Sequence, residues 1–165
     1  MALSPELLPI AAGLDRDGWT KVYIQKTPGD PNSRILFTTT IGMQEKFGVP
    51  ELVLFGLNQE TIDGVIHNVA AKLVQEHKWT GAPMRMDGVL NEADVELRAV
   101  HPEHLNEVGA MNIMVRRETG RPPLMGMIQI FWPGDDGRFP WDPESTDPFR
   151  DQPRLDVSWK KDGGV

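Results

Sequence analysis

Residues 51–77 read ELVLFGLNQETIDGVIHNVAAKLVQEH and hold the strongest structural signals in the chain. The first seven, 51–57, are almost uninterruptedly apolar, which is typical of an interior strand covered on both faces. The apolar residues that follow recur every three or four positions and form one continuous stripe: Ile62, Val65, Ile66, Val69, Ala70, Leu73 and Val74. Asn58 is well placed to cap this pattern. The stretch therefore predicts a buried strand and, over Asn58–His77, an amphipathic helix.

Alternating patterns predict further strands around this pair. Residues 19–26 and 34–42 alternate with a period of two on either side of the turn-forming segment TPGDPNS, which predicts a hairpin with a long loop. Residues 94–100 alternate again, with Glu96 and Arg98 expected on the solvent side. The stretch before them, from Trp79, is ambiguous and predicts no single element.

Helices and irregular segments complete the pattern. Residues 4–16 begin with Ser-Pro-Glu, a good helix start, and Pro102 favours a further helix that Gly109 weakens. Residues 124–132 predict a second, largely apolar strand, whereas residues 43–50 are expected to connect two strands.

Together these elements predict the α+β class: a single domain with a mainly antiparallel or mixed sheet flanked by two or three helices. The length of 165 residues suits one domain, so residues 1–165 are assigned to it. From about residue 133 the chain is rich in Pro, Asp and Gly, which predicts a loop-rich C-terminal segment of the same domain.

Charge and composition exclude several classes of function. The chain has 17 Lys and Arg against 24 Asp and Glu, a net charge of −7, and no basic run, so nucleic acid is not an expected partner. It has no cysteine, which excludes disulfides, thiolate metal sites and cysteine nucleophiles. The N-terminus lacks a basic leader, and no stretch approaches the roughly 18 uninterrupted apolar residues of a membrane span. We therefore expect a cytoplasmic protein with no membrane partner.

The segment WPGDDGRFPWDP, residues 132–143, is the most distinctive candidate for a binding region. Its aromatic residues Trp132, Phe139 and Trp141 are too apolar to remain in water together, so we expect the segment to fold back over the sheet. In one interpretation they line a cleft in which the planar fork of Arg138 binds an anion or carboxylate. In the other, favoured by the general packing role of aromatics, they fasten the loop to the sheet and Arg138 pairs with a nearby Asp.

Other polar side chains offer weaker signals. Thr38 and Thr40 share one strand face and could present hydroxyls to a ligand, although Thr is simply a favoured strand residue. His101 and His104 could form a metal-binding set with Glu107, but the spacing is loose and no HExxH motif is present, so neither a metal nor another cofactor is expected. His67 follows Asp63 by one helical turn, which favours a surface hydrogen-bonded pair, and no nucleophile elbow or phosphate-binding loop is present.

Two blocks of sequence carry a family resemblance. They are residues 38–57, TTTIGMQEKFGVPELVLFGL, and residues 129–143, QIFWPGDDGRFPWDP, followed by Gln152-Pro153. Together they resemble the bacterial family catalogued as domain of unknown function 4262, over most of the chain from about residue 19 to 153. Met43 stands where that family commonly has Leu, and the region 112–117 lacks its tyrosines. The resemblance implies a bacterial protein built on one such domain, and it brings no assigned reaction.

The sequence thus predicts a soluble bacterial domain that binds a small molecule or a protein partner near its C-terminal loop. The expected ligand-binding residues are Trp132, Arg138, Phe139 and Trp141, together with Thr38 and Thr40. Two alternatives stay open. One is a small hydrolase using Asp/His acid–base chemistry, or a metal-dependent enzyme using His101 and His104. The other is an oligomer-building module, a homo-oligomer being compatible with the sequence.

Overall fold

The structure is a computed structural model that describes residues 5–27, 30, 32–76, 79–90, 93–134, 136–144 and 152–158. Within these residues the strands are β1 (Thr20–Gln25), β2 (Ile35–Ile41), β3 (Glu51–Phe55), β4 (Met84–Leu90), β5 (Ala93–Ala99) and β6 (Met127–Phe131). The α-helices are α1 (Leu8–Asp17), α2 (Met43–Phe47), α3 (Gln59–Glu76), α4 (Leu105–Val108) and α5 (Ala110–Glu118). Short 3₁₀ turns, Pro5–Leu7 and Pro102–His104, precede α1 and α4.

The strands form one mixed sheet in the order β1-β2-β3-β6-β5-β4. The central pair, β3 and β6, is parallel, and every other neighbouring pair is antiparallel. After β3 the chain passes through α3 to the far edge, and β5 and β6 then bring it back to the centre. The predicted α+β domain with a mixed sheet is confirmed, and β3 is the interior strand that its apolar run indicated.

Helix α3 covers one face of the sheet. Its predicted apolar stripe is buried against residues from the central strands, among them Leu52, Leu54, Leu97, Ile128 and Ile130. Asn58 Oδ1 accepts a hydrogen bond of 2.9 Å from the backbone N–H of Thr61, so the predicted cap is also present. The strongest local signal in the sequence therefore decides which face of the sheet forms the main core.

The opposite face is covered in two parts. At the β1–β2 end, α1 and α5 bury Leu14, Val22, Ile41 and Val115. Nearer the middle, Val53 and Met127 pack with Val108 from α4, and Leu155 from the C-terminal segment lies against this cluster. The C-terminal segment therefore folds back on the sheet.

Residues 43–50 connect β2 to β3, and they contain a helix that the sequence did not predict. This helix, α2, begins after Gly42, which lies in the left-handed region at a φ of 105°. A side chain at Gly42 would meet the carbonyl oxygen of Gly18 at 2.4 Å, so glycine allows the α1–β1 turn to lie against the start of α2.

One prediction about side-chain exposure is wrong. The alternation of β5 places Glu96 and Arg98 on the solvent side, but the C-terminal segment covers them and leaves Glu96 only 7% exposed.

No helix among the described residues is both long enough and apolar enough to cross a bilayer.

Candidate functional site

The aromatic residues of the C-terminal loop form a closed cluster with two arginines, here called the aromatic clasp. Phe139 and Trp141 stack with ring centroids 5.0 Å apart and an interplanar angle of 5°, and Phe131 of β6 meets Trp141 edge-on at 5.1 Å. The Arg98 guanidinium lies 3.6 Å from the centroid of Trp141, and that of Arg85 lies 4.3 Å from the centroid of Phe139. The clasp members are Arg85, Arg98, Phe131, Phe139 and Trp141.

The charges of the aromatic clasp are paired. Glu96 accepts hydrogen bonds from Arg85 at 2.8 Å and from Arg98 at 2.6 Å. Arg98 also donates to Asp156 at 3.0 Å, and Arg154 binds the same carboxylate. Although burial alone raises the pKa of Asp156, hydrogen bonds from the two arginines outweigh it and lower that pKa. Stacked rings and saturated ion pairs fasten the segment to the sheet.

The remaining predicted site residues lie elsewhere. Trp132 packs against the core beneath α3 and donates from Nε1 to the Phe55 carbonyl at 2.8 Å, so it lies on the other face of the sheet from Trp141. Arg138 is half-exposed and binds Glu144 through both its carboxylate, at 3.0 Å, and its carbonyl oxygen, at 2.9 Å. The sequence suggested an aspartate as the partner of Arg138, whereas the structure pairs it with Glu144.

Thr38 and Thr40 are both fully buried. Thr40 Oγ1 donates to Glu51 Oε1 at 2.9 Å and accepts from the backbone N–H of Leu52 at 2.8 Å. Thr38 Oγ1 has no hydrogen-bond partner among the described residues. Burial removes both hydroxyls from the reach of a ligand, so the six predicted residues do not form one surface.

Thr40 belongs to a buried polar network, here called the Glu51 network, formed by Thr40, Glu45, Glu51, Asn112 and Arg116. The Glu51 carboxylate accepts hydrogen bonds from the backbone N–H groups of residues 42, 43 and 44 at 3.0–3.1 Å, from Thr40 and from Arg116. Glu51 is 0% and Arg116 1% exposed. Burial raises the pKa of the Glu51 carboxyl, while its backbone donors, Thr40 and Arg116 act in the opposite direction.

All three guanidinium nitrogens of Arg116 donate hydrogen bonds to groups in or beside the same network. Its Nε donates to Asn112 Oδ1 at 2.8 Å, and its other nitrogens bind Glu45, Glu51 and the carbonyl oxygen of Pro122. Asn112 in turn donates to the Thr40 carbonyl at 2.7 Å. The network therefore ties α2 and α5 to the central sheet and leaves no room for a ligand.

A different polar cluster lies open to solvent at the β1 edge. It borders a cleft of about 610 Å³, here called the Lys21 cleft, between the end of α1, β1, α2 and α3. The cleft is lined by Arg16, Asp17, Trp19, Thr20, Lys21, Lys46 and His67. Side chains at alternate positions of β1 and one turn apart on α3 meet here, because Lys21 and Tyr23 point toward α3 and Asp63 and His67 point toward β1.

Lys21 stands at the centre of this cluster. Its Nζ lies 3.0 Å from His67 Nε2 and 3.0 Å from Asp63 Oδ1, and the Tyr23 hydroxyl donates to the same Asp63 oxygen. The sequence spacing suggested a direct pair between Asp63 and His67, whereas in the structure both bind Lys21. Trp19 closes the cluster, its ring centroid lying 5.3 Å from that of His67.

The contact with Lys21 decides the protonation state of His67. An ammonium group donates hydrogen bonds and cannot accept them, so His67 Nε2 must be the acceptor and the ring must be neutral with its proton on Nδ1. The pKa of His67 is lowered in agreement, by partial burial and by the charge of Lys21, against a smaller effect of Asp63.

The two acids of the cluster shift in opposite directions. Although burial raises the pKa of Asp63, hydrogen bonds from Tyr23 and Lys21 and the charge of Lys21 bring it below its usual value. Burial and the hydrogen bond to Asp63 raise the pKa of Tyr23 to about 12. Tyr23 is therefore a neutral donor and Asp63 an anion, which holds the Lys21 ammonium in place.

The histidines considered for metal binding are engaged in packing contacts. The His101 and His104 rings lie 6.3 Å apart, and His104 Nε2 lies 2.8 Å from the Val157 carbonyl oxygen, to which it must donate. Among the residues that the structure describes, no three His, Asp or Glu side chains come together as a metal would require. His104 also borders a smaller cavity of about 230 Å³, whose walls are mainly apolar and include Phe37, Phe55 and Leu155.

Fold and site together define a single α+β domain with a mixed sheet. The aromatic clasp fastens the C-terminal segment to this sheet, and a polar cleft beside β1 is open to solvent. Comparison with protein families matches residues 13–146 to "Domain of unknown function (DUF4262)". The match covers most of the chain, so the protein belongs to the DUF4262 family, as the two sequence blocks suggested. Searches of curated proteins and of solved structures returned no similar protein.

Proposed function

We propose that this protein is a ligand-binding domain that takes a small polar molecule in the Lys21 cleft. The observation that carries the proposal is the meeting of Lys21 and His67 on the wall of an opening wide enough for a small molecule, with Asp63 bound to Lys21 and Tyr23 bound to Asp63 beside it. Side chains with perturbed pKa values at or beside a cleft mark a candidate functional site.

The Lys21 side chain is held ready for a ligand. It is only 18% exposed, and its ammonium is fixed by a carboxylate from one side and an imidazole nitrogen from the other. A side chain that is already ordered loses little conformational entropy when it binds. The rigid β1 strand and the α3 helix carry all four groups, which favours a site of defined shape.

Binding is favoured over acid–base catalysis at this site. The lone pair of His67 Nε2, which a general base would need, is occupied by the Lys21 ammonium. Asp63 is paired with the same ammonium, and hydrogen bonds from Tyr23 and Lys21 hold its pKa below its usual value, which makes its carboxylate a weaker base. The arrangement therefore presents a positioned cation with weak bases beside it.

The surface around Arg138 supports ligand binding less well. Its guanidinium already binds the carboxylate and carbonyl of Glu144, and the neighbouring rings of Phe139 and Trp141 stack on each other. Binding at that loop stays a prediction, as do a protein partner, a homo-oligomer, a bacterial source and a cytoplasmic location.

Nuclear magnetic resonance mapping tests the proposal directly. A library of small polar metabolites is added to ¹⁵N-labelled protein, and we expect ligands to shift amide signals at residues 16–21, 46 and 63–67. The variant Lys21→Met should lose this response. Lys72→Met provides the matched control, because Lys72 does not line the cleft and, among the described residues, pairs with the exposed Asp87, at 3.9 Å.

Two outcomes would overturn the proposal. The first is a set of ligands whose shifts centre on residues 136–144, which would return the site to the C-terminal loop. The second is ligand binding to the cleft that Lys21→Met leaves unchanged, which would show that the cluster around Lys21 takes no part in recognition.

A further inference from the structure

We infer that the ligand of the Lys21 cleft is a compact oxyanion, a phosphate or carboxylate compound, bound by the ammonium groups of Lys21 and Lys46. This inference rests on the proposed function and names the chemistry of its ligand. It follows from the hydrogen-bonding capacity that the cleft residues still have after their contacts with one another.

The two lysines retain donors. An ammonium group has three N–H donors, and Lys21 directs two of them to Asp63 and His67, so one remains. Lys46 directs one to the carbonyl oxygen of Asp17, so two remain. Both side chains line the same cleft and can therefore address one ligand.

His67 adds a donor of a different kind. Because its Nε2 accepts from Lys21, its proton lies on Nδ1, and this N–H has no partner among the described residues. A neutral imidazole N–H can bind an oxygen of the ligand without adding charge. The cleft thus offers two ammonium groups and one neutral N–H.

Each carboxylate of the cleft is already paired with a cation. Asp17 pairs with Arg16 Nε at 2.9 Å, and Asp63 pairs with Lys21. A cationic ligand would have to compete with those cations for the carboxylates, whereas an anion meets ammonium donors that are still unused. Charge-assisted hydrogen bonds from these donors favour an anion.

The charge balance points in the same direction. Arg16, Lys21 and Lys46 carry positive charge against the two carboxylates of Asp17 and Asp63, which leaves the cleft net positive with His67 neutral. The whole chain has a net charge of −7, so this local excess is opposite in sign to the rest of the molecule. A positive cleft in an acidic protein draws anions to that place.

The geometry does not separate phosphate from carboxylate, because lysine ammonium groups act as point charges and bind both. The experiment therefore includes each. Inorganic phosphate and acetate are titrated separately into ¹⁵N-labelled protein at constant ionic strength, with glycerol as the neutral probe and tetramethylammonium as the cationic probe. The amide signals of Lys21, Lys46 and His67 are followed.

We expect saturable shifts at these three residues with phosphate, acetate or both, and the anion that binds identifies the source. Lys21→Met and Lys46→Met should each weaken binding by about ten- to a hundredfold, the usual loss for a hydrogen bond to a charged group. Lys72→Met, which removes the same charge outside the cleft, should leave the affinity unchanged within about twofold.

The contrary outcomes separate this inference from the proposed function. Binding of glycerol or of neutral library compounds in the cleft, with no effect of either anion, overturns the oxyanion and leaves the proposed site in place. Equal loss of anion binding in Lys21→Met and Lys72→Met also overturns it, since the anion would then respond only to total charge. Absence of any response at the cleft, from anions and library alike, overturns both.

Discussion

The Glu51 network and the Lys21 cleft are built from the same kinds of side chain, but they differ in how many hydrogen-bond donors remain without a partner. Both bring a basic residue to carboxylates from distant parts of the chain. Arg116 is 1% exposed and fully engaged, and the Glu51 carboxylate has five donors. Lys21 and Lys46 border open solvent and keep unused donors.

The difference shows how to separate a structural charge cluster from a binding site. A buried ion is tolerated only if its hydrogen bonds are satisfied within the protein, so such a cluster has nothing to offer a ligand. A cluster at a cleft can leave donors to water at little cost and later exchange that water for a ligand. Residual hydrogen-bonding capacity, more than the presence of charge, distinguishes the two regions.

The largest loss of stability is expected when the Glu51 network is disrupted. Arg116→Met should lower the free energy of unfolding by about 3–5 kcal/mol, because it leaves the Glu51 carboxylate buried without its charged partner. Arg117→Met is the matched control, since Arg117 is the exposed neighbour on the same helix. Urea unfolding measures both, and a similar loss in the two variants would refute a special role for the buried pair.

The aromatic clasp is a second closed region, and its removal should cost somewhat less. Trp141→Ala should lower the free energy of unfolding by about 3 kcal/mol, because Phe139 and Arg98 both lose the ring on which they pack. Arg138→Ala, in the same loop, removes only a half-exposed ion pair and should cost at most about 1 kcal/mol. Chemical denaturation of both variants would contradict the assignment if Arg138 proved the costlier.

The Lys21 cleft should respond to substitution differently from the Glu51 network and the aromatic clasp. Lys21→Met should change the free energy of unfolding by only about 1 kcal/mol, because Asp63 keeps its bond to Tyr23 and stays partly solvated. The substitution should instead weaken ligand binding. Comparing urea midpoints with binding in the same preparation sharpens the contrast, and a stability loss as large as that of Arg116→Met would place Lys21 among the structural residues.

The smallest effect concerns the pH dependence of stability. The pKa of His67 is lower in the folded protein than its ordinary value of 6.5. At a pH between these two values, the unfolded chain therefore binds a proton at His67 that the folded protein does not bind. The free energy of unfolding should therefore fall as the pH drops below about 6.5, because partial burial and the charge of Lys21 oppose the protonation of His67 and Asp63 only partly offsets them.

Urea unfolding at pH 7.5 and 5.5 measures this dependence. The decrease between the two values should be smaller in His67→Gln than in the original protein, and His101→Gln serves as a control away from the cleft. An equal decrease in His67→Gln and the original protein would mean that His67 does not titrate against Lys21.

Much of the fold was predictable because its signals are local. The period of the α3 stripe, the apolar run of β3 and the abundance of aromatics after Phe131 each report burial within a few neighbouring residues. The α2 helix was not predictable in this way, since it depends on Glu51 accepting the backbone N–H groups at its start. The covering of Glu96 likewise depends on a segment far along the chain.

The candidate site was visible only in part. Asp63 and His67 stand one helical turn apart, and this spacing marked them as neighbours. Their common partner, Lys21, lies 46 positions before His67 and is an ordinary residue of an alternating strand. Nothing in its local sequence marks it as a binding residue.

The sequence by itself determined the class of fold, the main core and the return of the aromatic segment to the sheet, because periodicity and hydrophobicity act over short stretches. Only the tertiary structure decided which charged side chains are buried with their hydrogen bonds satisfied and which border a solvent-filled cleft. Arg116 meets Glu51 across 65 positions, and Lys21 meets His67 across 46. Whether such a pair is sealed or borders a cleft depends on the layers packed around it, which no local pattern encodes.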